Sequence, residues 1–469
     1  MTGRFWVTAA VLSVTAWAGA EGGYSPEMGG FRQLFADDYR IESLTQAGRK
    51  LHAGDKVSTP VLSPDRPWEK DATYLYGTVM YDAEEGIFKM WYQTFYMRPP
   101  KAYMLYAISK DGLTWEKPDL GLVEWEGSKQ NNIVLEAEIG TVVKDERTTD
   151  PQRRYKMFGF VRPHYDVWFS PDGLKWTKTA KDYVIREGDV SNAGYDPYKK
   201  DFYVTVKLPH PAGRASFLST STDFENWTSA TPVMVADNRD QARAHMEGAQ
   251  KMDIYGFPMA PYEGAYIGFP WLFRVTGKGG KDTGGDGHID VQFAFSRDRL
   301  NWTRPVREAI IPNGAPGSFD DEMILTSSGP VVRGDEMRLY YGGWDGPHGT
   351  FRRKARIGMA RWQRDRFVSI TNGGFTTGTI VTKPVRLDGN PLHVNASLAA
   401  GGRLVAELLD VNNMPMQGYT AAEANPVTGD SLDTVLTWNQ ATNFGPLAGR
   451  TVKIRFHLLG GDLFSFWQK

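Results

Sequence analysis

Short runs of hydrophobic residues recur along the chain, and acidic or Gly-rich turns separate them. The segment GTVMYDAEEGIFKMWYQ at 77–93 shows the pattern, with an apolar run, an acidic turn and an apolar return run. Comparable pairs occupy 141–160, 193–206, 255–273 and 327–344. Apolar runs of this length, alternating or continuous, indicate β-strands. The sequence therefore predicts an all-β protein that contains five repeated units.

Four of the five pairs lead into the pattern Ser-x-Asp-x-x-x-Trp. Its members are Ser109, Asp111 and Trp115; Ser170, Asp172 and Trp176; Ser221, Asp223 and Trp227; and Ser296, Asp298 and Trp302. We expect each aspartate to bond the backbone of a turn, Gly112 and Gly173 to adopt positive φ, and each tryptophan to fold back as a hydrophobic plug. The fifth unit, which leads into 356–370, lacks the pattern. We interpret the repetition as a structural device, with ligand binding by the aspartates as the alternative.

Repeats of about 50–75 residues with four strands each predict a five-bladed β-propeller, here over residues 71–370. Residues 21–70 form an N-terminal lead-in segment. After residue 371 the pattern changes, because apolar runs such as 403–411 and 452–459 are separated by Gly-, Asn- and Pro-rich turns. This change predicts a second all-β domain over 371–469, a β-sandwich.

The N-terminus predicts export. Arg4 precedes an almost entirely apolar or small stretch, and Ala18-Gly19-Ala20 has the small residues of a cleavage site. We predict a signal peptide at residues 1–20 and a secreted or periplasmic protein. The alternative, a membrane anchor, needs a longer apolar run. The chain has no cysteine, so it has no disulfide, no thiol nucleophile and no cysteine metal site.

The composition is that of a soluble globular protein, with 41% hydrophobic and 23% charged residues. Lys plus Arg is 54 and Asp plus Glu is 55, so a basic excess typical of nucleic-acid binding is missing. The sequence contains no His-Glu-x-x-His and no EF-hand loop. The Gly-rich segment 278–288 lies between predicted strands and opens no helix, so we interpret it as a flap and not as a phosphate loop. We expect no metal and no cofactor.

In its order of predicted elements, the chain resembles the five-bladed propeller glycoside hydrolases, the group of families 32, 43 and 68. Within that group it looks most like a family 32 β-fructosidase, which pairs a propeller with a C-terminal β-sandwich. The phrase Leu34-Phe35-x-Asp37-Asp38-Tyr39 also resembles the opening of exported, family-32-like bacterial proteins. The resemblance implies a glycoside hydrolase that acts on an oligosaccharide or polysaccharide, such as a fructoside or another furanoside.

The local motifs depart from family 32. That family carries its nucleophile in an Asn-Asp-Pro-Asn-Gly phrase at the first blade, and the matching glycine here is Gly77, which puts Tyr74 at the nucleophile position. The Arg-Asp-Pro motif of blade two has no clear equivalent, since TTDP at 148–151 lies in a predicted hairpin turn. The Glu-Cys motif of blade three is absent, although Asp189 is close to its place. The catalytic set of the family therefore does not transfer intact.

Carboxylates just before the innermost strands of a propeller converge on one funnel. On this basis we predict four catalytic candidates, Asp71, Asp189, Asp253 and Asp320. Glycoside hydrolysis needs two carboxyl groups, about 5 Å apart for a covalent intermediate or about 6.5–9.5 Å apart for an attacking water. Burial and neighbouring carboxylates raise the pKa of the one that must stay protonated. For each acid, a plain role in a turn or loop is the alternative.

Further polar and aromatic residues are candidates for binding sugar hydroxyls or stacking on a sugar ring. The candidates for substrate binding are Trp68, Glu69, Glu247, Glu322, Trp344 and His348. The alternative is packing inside a blade for the tryptophans and solvation in a loop for the others.

Three hypotheses for function remain open. The first is an exported glycoside hydrolase, and the second is a non-catalytic carbohydrate-binding propeller, which the missing family motifs favour. The third is a lyase or a sialidase-like enzyme. A sialidase would need six blades and three clustered arginines, whereas the sequence predicts five blades.

Overall fold

The computed structural model describes residues 23–97, 100–138, 140–161, 163–181, 184–277, 285–350, 353–373, 376–439 and 444–469. Within these ranges the chain forms 35 β-strands and one α-helix, α1 (Asn238–Met246). The predicted signal peptide and residues 278–284 of the predicted flap lie outside the described residues. No helix in the described part is long and apolar enough to cross a membrane. The all-β prediction is confirmed.

Four short strands open the described part of the protein. They are β1 (Gln33–Leu34), β2 (Ile41–Thr45), β3 (Gly48–Leu51) and β4 (Asp55–Lys56). The first three pair with strands near the C-terminus, and the fourth pairs with a strand of the repeated region. The described part of the lead-in segment, residues 23–70, therefore divides between the two regions of the molecule.

Three antiparallel sheets follow in sequence order, and we name them the first, second and third units. The first unit comprises β5 (Val79–Asp82), β6 (Ile87–Met97), β7 (Pro100–Ser109) and β8 (Ile133–Leu135); the second comprises β9 (Gly140–Lys144), β10 (Tyr155–Val161), β11 (His164–Ser170), β12 (Thr177–Lys178) and β13 (Ile185–Arg186); the third comprises β14 (Ser191–Asp196), β15 (Asp201–His210), β16 (Gly213–Ser221) and β17 (Thr231–Met234). The middle strands are buried on both faces, which explains their continuous apolar runs.

The next strands form two further groups, which we name the fourth unit and the last unit. The fourth unit comprises β18 (Lys251–Gly256), β19 (Met259–Tyr262), β20 (Ala265–Gly268), β21 (Trp271–Val275), β22 (Ile289–Gln292), β23 (Ala294–Ser296), β24 (Trp302–Thr303) and β25 (Ala309–Ile311); the last unit comprises β26 (Met323–Thr326), β27 (Val331–Arg333), β28 (Glu336–Trp344), β29 (Ala355–Gln363) and β4. One parallel contact between β22 and β26 joins β18, β21, β22 and β25 to the last unit in one sheet. The other strands of the fourth unit, β19, β20, β23 and β24, form a separate four-stranded sheet. The repeated units together have a β-propeller arrangement.

The Ser-x-Asp turns have the predicted geometry. In all four, the serine hydroxyl donates to the aspartate at 2.9–3.0 Å, and the aspartate accepts two backbone N–H groups of the turn. Gly112 and Gly173 have φ of 75° and 77°, as expected. The equivalent residues of the third and fourth units, Phe224 and Arg299, adopt φ of 67° and 63° without being glycine. The repeated hydrogen bonds therefore fix the turn even where the residue is unfavourable.

Each turn also packs on a neighbouring unit. The contacts that join a turn to its neighbour are Trp91–Gly173, Trp227–Phe158, Arg299–Asp201 and Tyr340–Gly112. The last of these joins the turn of the first unit to β28 of the last unit. The repeated phrase therefore holds neighbouring sheets together as well as closing its own turn.

The C-terminal region forms a separate sheet with its own hydrophobic core. Its strands are β30 (Val368–Asn372), β31 (Gly378–Thr382), β32 (Val385–Arg386), β33 (Leu392–Leu409), β34 (Asp430–Val435) and β35 (Thr451–Gln468). The two longest strands, β33 and β35, pair along most of their length, and their register shifts between Leu398 and Arg403. Buried side chains such as Trp438 and Phe456 form the core, to which Phe35 contributes from the N-terminal segment.

Asp365 joins the repeated units to the C-terminal region. Its buried carboxylate accepts hydrogen bonds from the Tyr262 hydroxyl at 2.5 Å and the Ser465 hydroxyl at 2.7 Å. It also forms an ion pair with Arg32 at 2.9 Å. One acid thus binds the fourth unit, the C-terminal sheet and the N-terminal segment.

Candidate active site

Residues from all the repeated units line one open cavity of about 1070 Å³. The lining residues that matter below are Tyr74, Phe95, Phe160, Glu187, Asp189, Lys207, Arg214, Lys251, Asp253, Tyr255, His348 and Arg353. They lie before β5, in β6 and β10, around β14 and β15, in β16 and β18, and between β28 and β29. The cavity is therefore lined by segments that are far apart in the sequence.

Strand β18 brings three polar residues to the cavity. Lys251, Asp253 and Tyr255 alternate along it, so their side chains share one face. Asp253 accepts a hydrogen bond from Arg214 Nη1 at 2.7 Å and forms an ion pair with Lys251 Nζ at 3.0 Å. These two cations cover the carboxylate, and Asp253 has no exposed surface.

Gly213 makes the position of Asp253 possible. It lies at the turn between β15 and β16 with φ of 119°, a conformation that disfavours other residues. A Cβ atom at this place would lie 2.1 Å from Oδ1 of Asp253. The backbone therefore approaches the acid closely because residue 213 has no side chain.

Asp189 is the more accessible of the two aspartates at the cavity. Its side chain is 42% exposed, and Oδ1 lies 2.6 Å from Lys207 Nζ. The two preceding residues, Glu187 and Gly188, both have positive φ, of 69° and 95°. Two consecutive residues with positive φ require a specific loop shape. This loop places Asp189 just before the start of β14.

Tyr255 lies between the cations that hold the two acids. Lys207 Nζ is 3.6 Å from the centroid of its ring, and the Arg214 guanidinium carbon is 6.0 Å from it. Burial opposes the charged form of Lys207, but Tyr255 and Asp189 together raise the pKa of that lysine above its ordinary value. Asp189 and Asp253 are thus connected through two cations and one aromatic ring.

His348 lies at the wall of the same cavity. Its Nδ1 is 3.0 Å from the Gly285 carbonyl oxygen, and its Nε2 is 3.0 Å from the Tyr255 hydroxyl. Burial lowers the pKa of His348 to about 4, so the ring is neutral at physiological pH. Because a carbonyl only accepts, Nδ1 carries the proton and Nε2 accepts the Tyr255 hydroxyl. His348 therefore sets the direction of the Tyr255 O–H bond.

The structure places the other two catalytic candidates away from the cavity lining. Asp71 is exposed at the surface. Asp320 is buried, forms an ion pair with Lys56 Nζ at 2.7 Å and accepts the Tyr341 hydroxyl at 2.8 Å. Lys56 belongs to β4, so Asp320 helps to attach the N-terminal strand to the last unit.

Two of the predicted substrate-binding residues have partners that hold the first unit together. Glu69 is completely buried, where it accepts the Tyr92 hydroxyl at 2.6 Å and pairs with Lys117 at 2.8 Å. The Trp68 indole N–H donates to Asn132 at 2.7 Å. Neither residue lines the cavity.

The remaining predicted substrate-binding residues, other than His348, are also outside the lining. Trp344 is buried and packs against Tyr74, with ring centroids 5.4 Å apart. Glu247 ends α1 and forms an ion pair with Arg243 at 2.7 Å. Glu322 contacts His288 at 2.5 Å, and burial raises the pKa of this glutamate. Trp344 thus contacts the cavity lining through Tyr74.

Sequence reasoning missed the basic and aromatic partners of the two aspartates. These are Lys207, Arg214, Lys251 and Tyr255. The lining cation Arg353 was missed as well. The alternation of Lys251, Asp253 and Tyr255 on a predicted strand was a usable signal, because it places three polar groups on one face. Across the described ranges, His, Asp and Glu side chains form no group of three or more that could hold a metal ion.

Comparison with known proteins shows a similarity of fold only. No family model matches the sequence, and no curated protein matches it. Solved structures with a similar fold include the catalytic domain of a GH62 α-L-arabinofuranosidase from Coprinopsis cinerea, at 12% identity and TM-score 0.45, covering 67% of this protein and 98% of that domain. A structure from a study of GH130 mannoside phosphorylases, which contain glycoside hydrolases that target β-1,2 mannosidic linkages in Candida mannan, has 16% identity and TM-score 0.44, covering 67% and 95%.

A fructofuranosidase from Schwanniomyces occidentalis in complex with fructosylnystose is also similar, at 11% identity and TM-score 0.42. The match covers 88% of this protein and 98% of the fructofuranosidase. At these identities and TM-scores, the likeness carries no functional argument. The function must be inferred from the cavity itself.

Proposed function

We propose that this protein is an exported glycoside hydrolase that binds a glycan in the propeller cavity and cleaves it with Asp189 and Asp253. The observation that carries the proposal is that these two acids, 64 residues apart in sequence, line the same open cavity. Two carboxyl groups on either side of a glycosidic bond are the chemistry that such hydrolysis needs.

The two acids differ in ways that suit different roles. Asp253 lies between Arg214 and Lys251, which suits a carboxylate that acts as an anion, either as nucleophile or as base. Asp189 is open to solvent, so it is the acid that can reach a leaving group, and Lys207 must move away from it before it can carry a proton. Entry of a substrate must draw Arg214 or Lys251 away from Asp253, because these cations cover it.

Aromatic side chains in the lining supply surfaces for a sugar ring. Tyr74, Phe95 and Tyr255 line the cavity, and aromatic faces pack on the apolar face of a pyranose or furanose. The polar groups around Tyr255 can then bind hydroxyl groups. A furanoside such as a fructoside is the substrate class that we propose to test first.

The proposal includes the finer architecture. We count the last unit, β26–β29 with β4, as a fifth blade, and the Tyr340–Gly112 contact supports ring closure between the last and first units. We also propose that the C-terminal sheet is folded into a β-sandwich, because β33 and β35, each 18 residues long, pair around one core.

A non-catalytic carbohydrate-binding protein is the second candidate. Two observations favour it: Asp253 has no exposed surface, and both aspartates are held in ion pairs with cations of the cavity. In this case the acids would organise the binding surface without reacting with the glycan. Enzyme and binder therefore share the site and differ only in bond cleavage.

A screen of purified protein against fructans, other oligosaccharides and aryl glycosides separates the two candidates. We expect sugar release by the parent and none by Asp189→Asn or Asp253→Asn. Asp320→Asn is the matched control, because Asp320 is a buried, ion-paired aspartate outside the cavity lining. Binding without release by the parent would support the binder, and release by both cavity variants would exclude the proposed pair.

A further inference from the structure

The cavity has a charge balance that differs from that of the whole protein, whose formal net charge is −1. The charged residues of the cavity lining are Lys207, Arg214, Lys251 and Arg353 against Glu187, Asp189 and Asp253. Cations therefore outnumber carboxylates in the lining, and the neutral His348 does not change this balance. A concave surface with an excess of one sign attracts ligands of the other sign.

Three of these cations are engaged with acids of the site. Lys207 pairs with Asp189 at 2.6 Å, and Arg214 and Lys251 pair with Asp253 at 2.7 and 3.0 Å. Three cations thus share two carboxylates, so one positive charge is left over in these pairs.

Arg353 is the fourth cation of the lining, and its partners are backbone carbonyls. Its Nη1 donates to the carbonyl oxygens of Pro347, at 3.1 Å, and His348. Carbonyl oxygens orient a guanidinium without neutralising it. Among the described residues, no carboxylate lies within ion-pair distance of Arg353, and none of these residues accepts a hydrogen bond from its Nε or Nη2 group. The fork formed by these two groups is the geometry that binds an oxyanion in bidentate fashion.

The surroundings of Arg353 place it on the binding surface. Burial is the main cause that lowers the pKa of His348 to about 4, and the charge of Arg353 contributes to that shift. Burial raises the pKa of Tyr74, and the charge of Arg353 opposes it. Arg353, His348 and Tyr74 all line the cavity, so the guanidinium is close to the surface on which a sugar would pack.

We infer that the glycan bound in this cavity is anionic, and that Arg353 binds an oxyanion on it, either a uronate carboxylate or a sulfate ester. The inference rests on the proposed function for the location of the glycan. It changes the expected substrate class from a neutral fructoside to an anionic glycan, and it assigns a residue for specificity that does not take part in bond cleavage.

The test measures binding to polysaccharides by affinity electrophoresis in native gels. The probes are polygalacturonic acid, carboxyl-reduced polygalacturonic acid, a carrageenan and inulin. We expect retardation by polygalacturonic acid or carrageenan and much less by the two neutral polymers. The variant Arg353→Gln should bind the anionic polymer about 10–100-fold more weakly, as expected for the loss of a hydrogen bond to a charged group.

Two further variants keep the result interpretable. Arg353→Lys retains the charge but not the fork, so its affinity should lie between those of the parent and Arg353→Gln. Arg386→Gln removes one positive charge from an exposed arginine of the C-terminal region, which pairs with Glu27, and should bind as the parent does. Thermal unfolding of each variant verifies that it is folded.

The outcomes separate this inference from the proposed function. Equal binding of neutral and anionic polymers, or an unchanged preference in folded Arg353→Gln and Arg353→Lys, would overturn the inference even if a neutral glycan is hydrolysed. Preference for the anionic polymer that depends on Arg353, without release of sugar, would support the inference and reject hydrolysis. The polygalacturonic acid and carrageenan arms distinguish carboxylate from sulfate.

Discussion

The two ends of β16 show two different uses of aspartate. At its first residue, Gly213, the strand touches Asp253, whose partners are the side chains of Arg214 and Lys251. At its last residue, Ser221, the strand enters a turn in which Asp223 accepts backbone N–H groups. Carboxylates satisfied by backbone N–H groups recur in four units, whereas the acids paired with side-chain cations at the cavity do not recur. The comparison teaches that repetition marks structure, and that a departure from repetition marks the candidate site.

The largest expected effect is a loss of activity when an aspartate of the cavity is replaced. Asp189→Asn should reduce sugar release by about 10²–10⁴-fold, the usual contribution of a positioned acid or base. Asp223→Asn, at the turn end, should leave release at the parent level below the unfolding temperature. Initial rates with the same substrate check both. Similar losses in the two variants would contradict the distinction between the two ends.

Glu69 sharpens the comparison, because it is a buried acid held by a side-chain cation but lies outside the cavity. Glu69→Gln removes one partner of the buried pair with Lys117 and should lower the free energy of unfolding by about 3–5 kcal/mol. The exposed Glu84 is the control, and Glu84→Gln should change the free energy of unfolding far less. Urea unfolding measures both, and a loss of activity in Glu69→Gln that exceeds its unfolded fraction would assign Glu69 to the site.

Gly213→Ala should move Asp253 without changing its chemistry. The added Cβ would meet Oδ1 at 2.1 Å, and a displacement of about 1 Å at a catalytic group can reduce the rate by about 100-fold. Gly248→Ala is matched, since Gly248 also has positive φ, of 79°, but has open space around it. Both variants carry backbone strain, and only the first should lose activity beyond its loss of stability.

The smallest expected effect is on the stability of a Ser-x-Asp turn, that of the first unit, and it depends on pH. Backbone N–H groups of Thr114 and Leu113 lower the pKa of Asp111 to about 2. The carboxylate therefore stabilises the folded state above pH 3.8, and this contribution disappears as pH falls from 3.8 to about 2. Asp111→Asn should lower the free energy of unfolding by about 1 kcal/mol at pH 7. Thermal unfolding from pH 7 to 2 should show the difference between parent and variant shrinking, and a constant difference would argue against the assigned hydrogen bonds.

The local features of the fold could be predicted from the sequence. The Ser-x-Asp turns, the positive φ of Gly112 and Gly173 and the repeated strand pairs follow from residue types a few positions apart. The pairing of β1 with β35 could not be predicted, because it joins Gln33 to Phe466 and has no local signal. Contacts between segments that are far apart in the sequence can be assigned only when the folded sheet is known.

The candidate site was predictable only in part for the same reason. Asp71, Asp189 and Asp320 all precede a predicted innermost strand, so they have equal status in the sequence. Their partners separate them, since Asp320 pairs with Lys56 from the N-terminal segment and Asp189 with Lys207 from the neighbouring strand β15. Charged partners that come from other elements decide which acid is structural, and they are visible only in the folded protein.

The central claim is that the propeller cavity binds a glycan between Asp189 and Asp253. A crystal structure of Asp189→Asn soaked with an oligosaccharide that the protein retains would test it most directly. The account predicts a sugar residue in the cavity, packed on Tyr255 and within hydrogen-bond distance of the side chains at positions 189 and 253. A saccharide bound only on the C-terminal sheet, or in the cavity beyond reach of both positions, would contradict it.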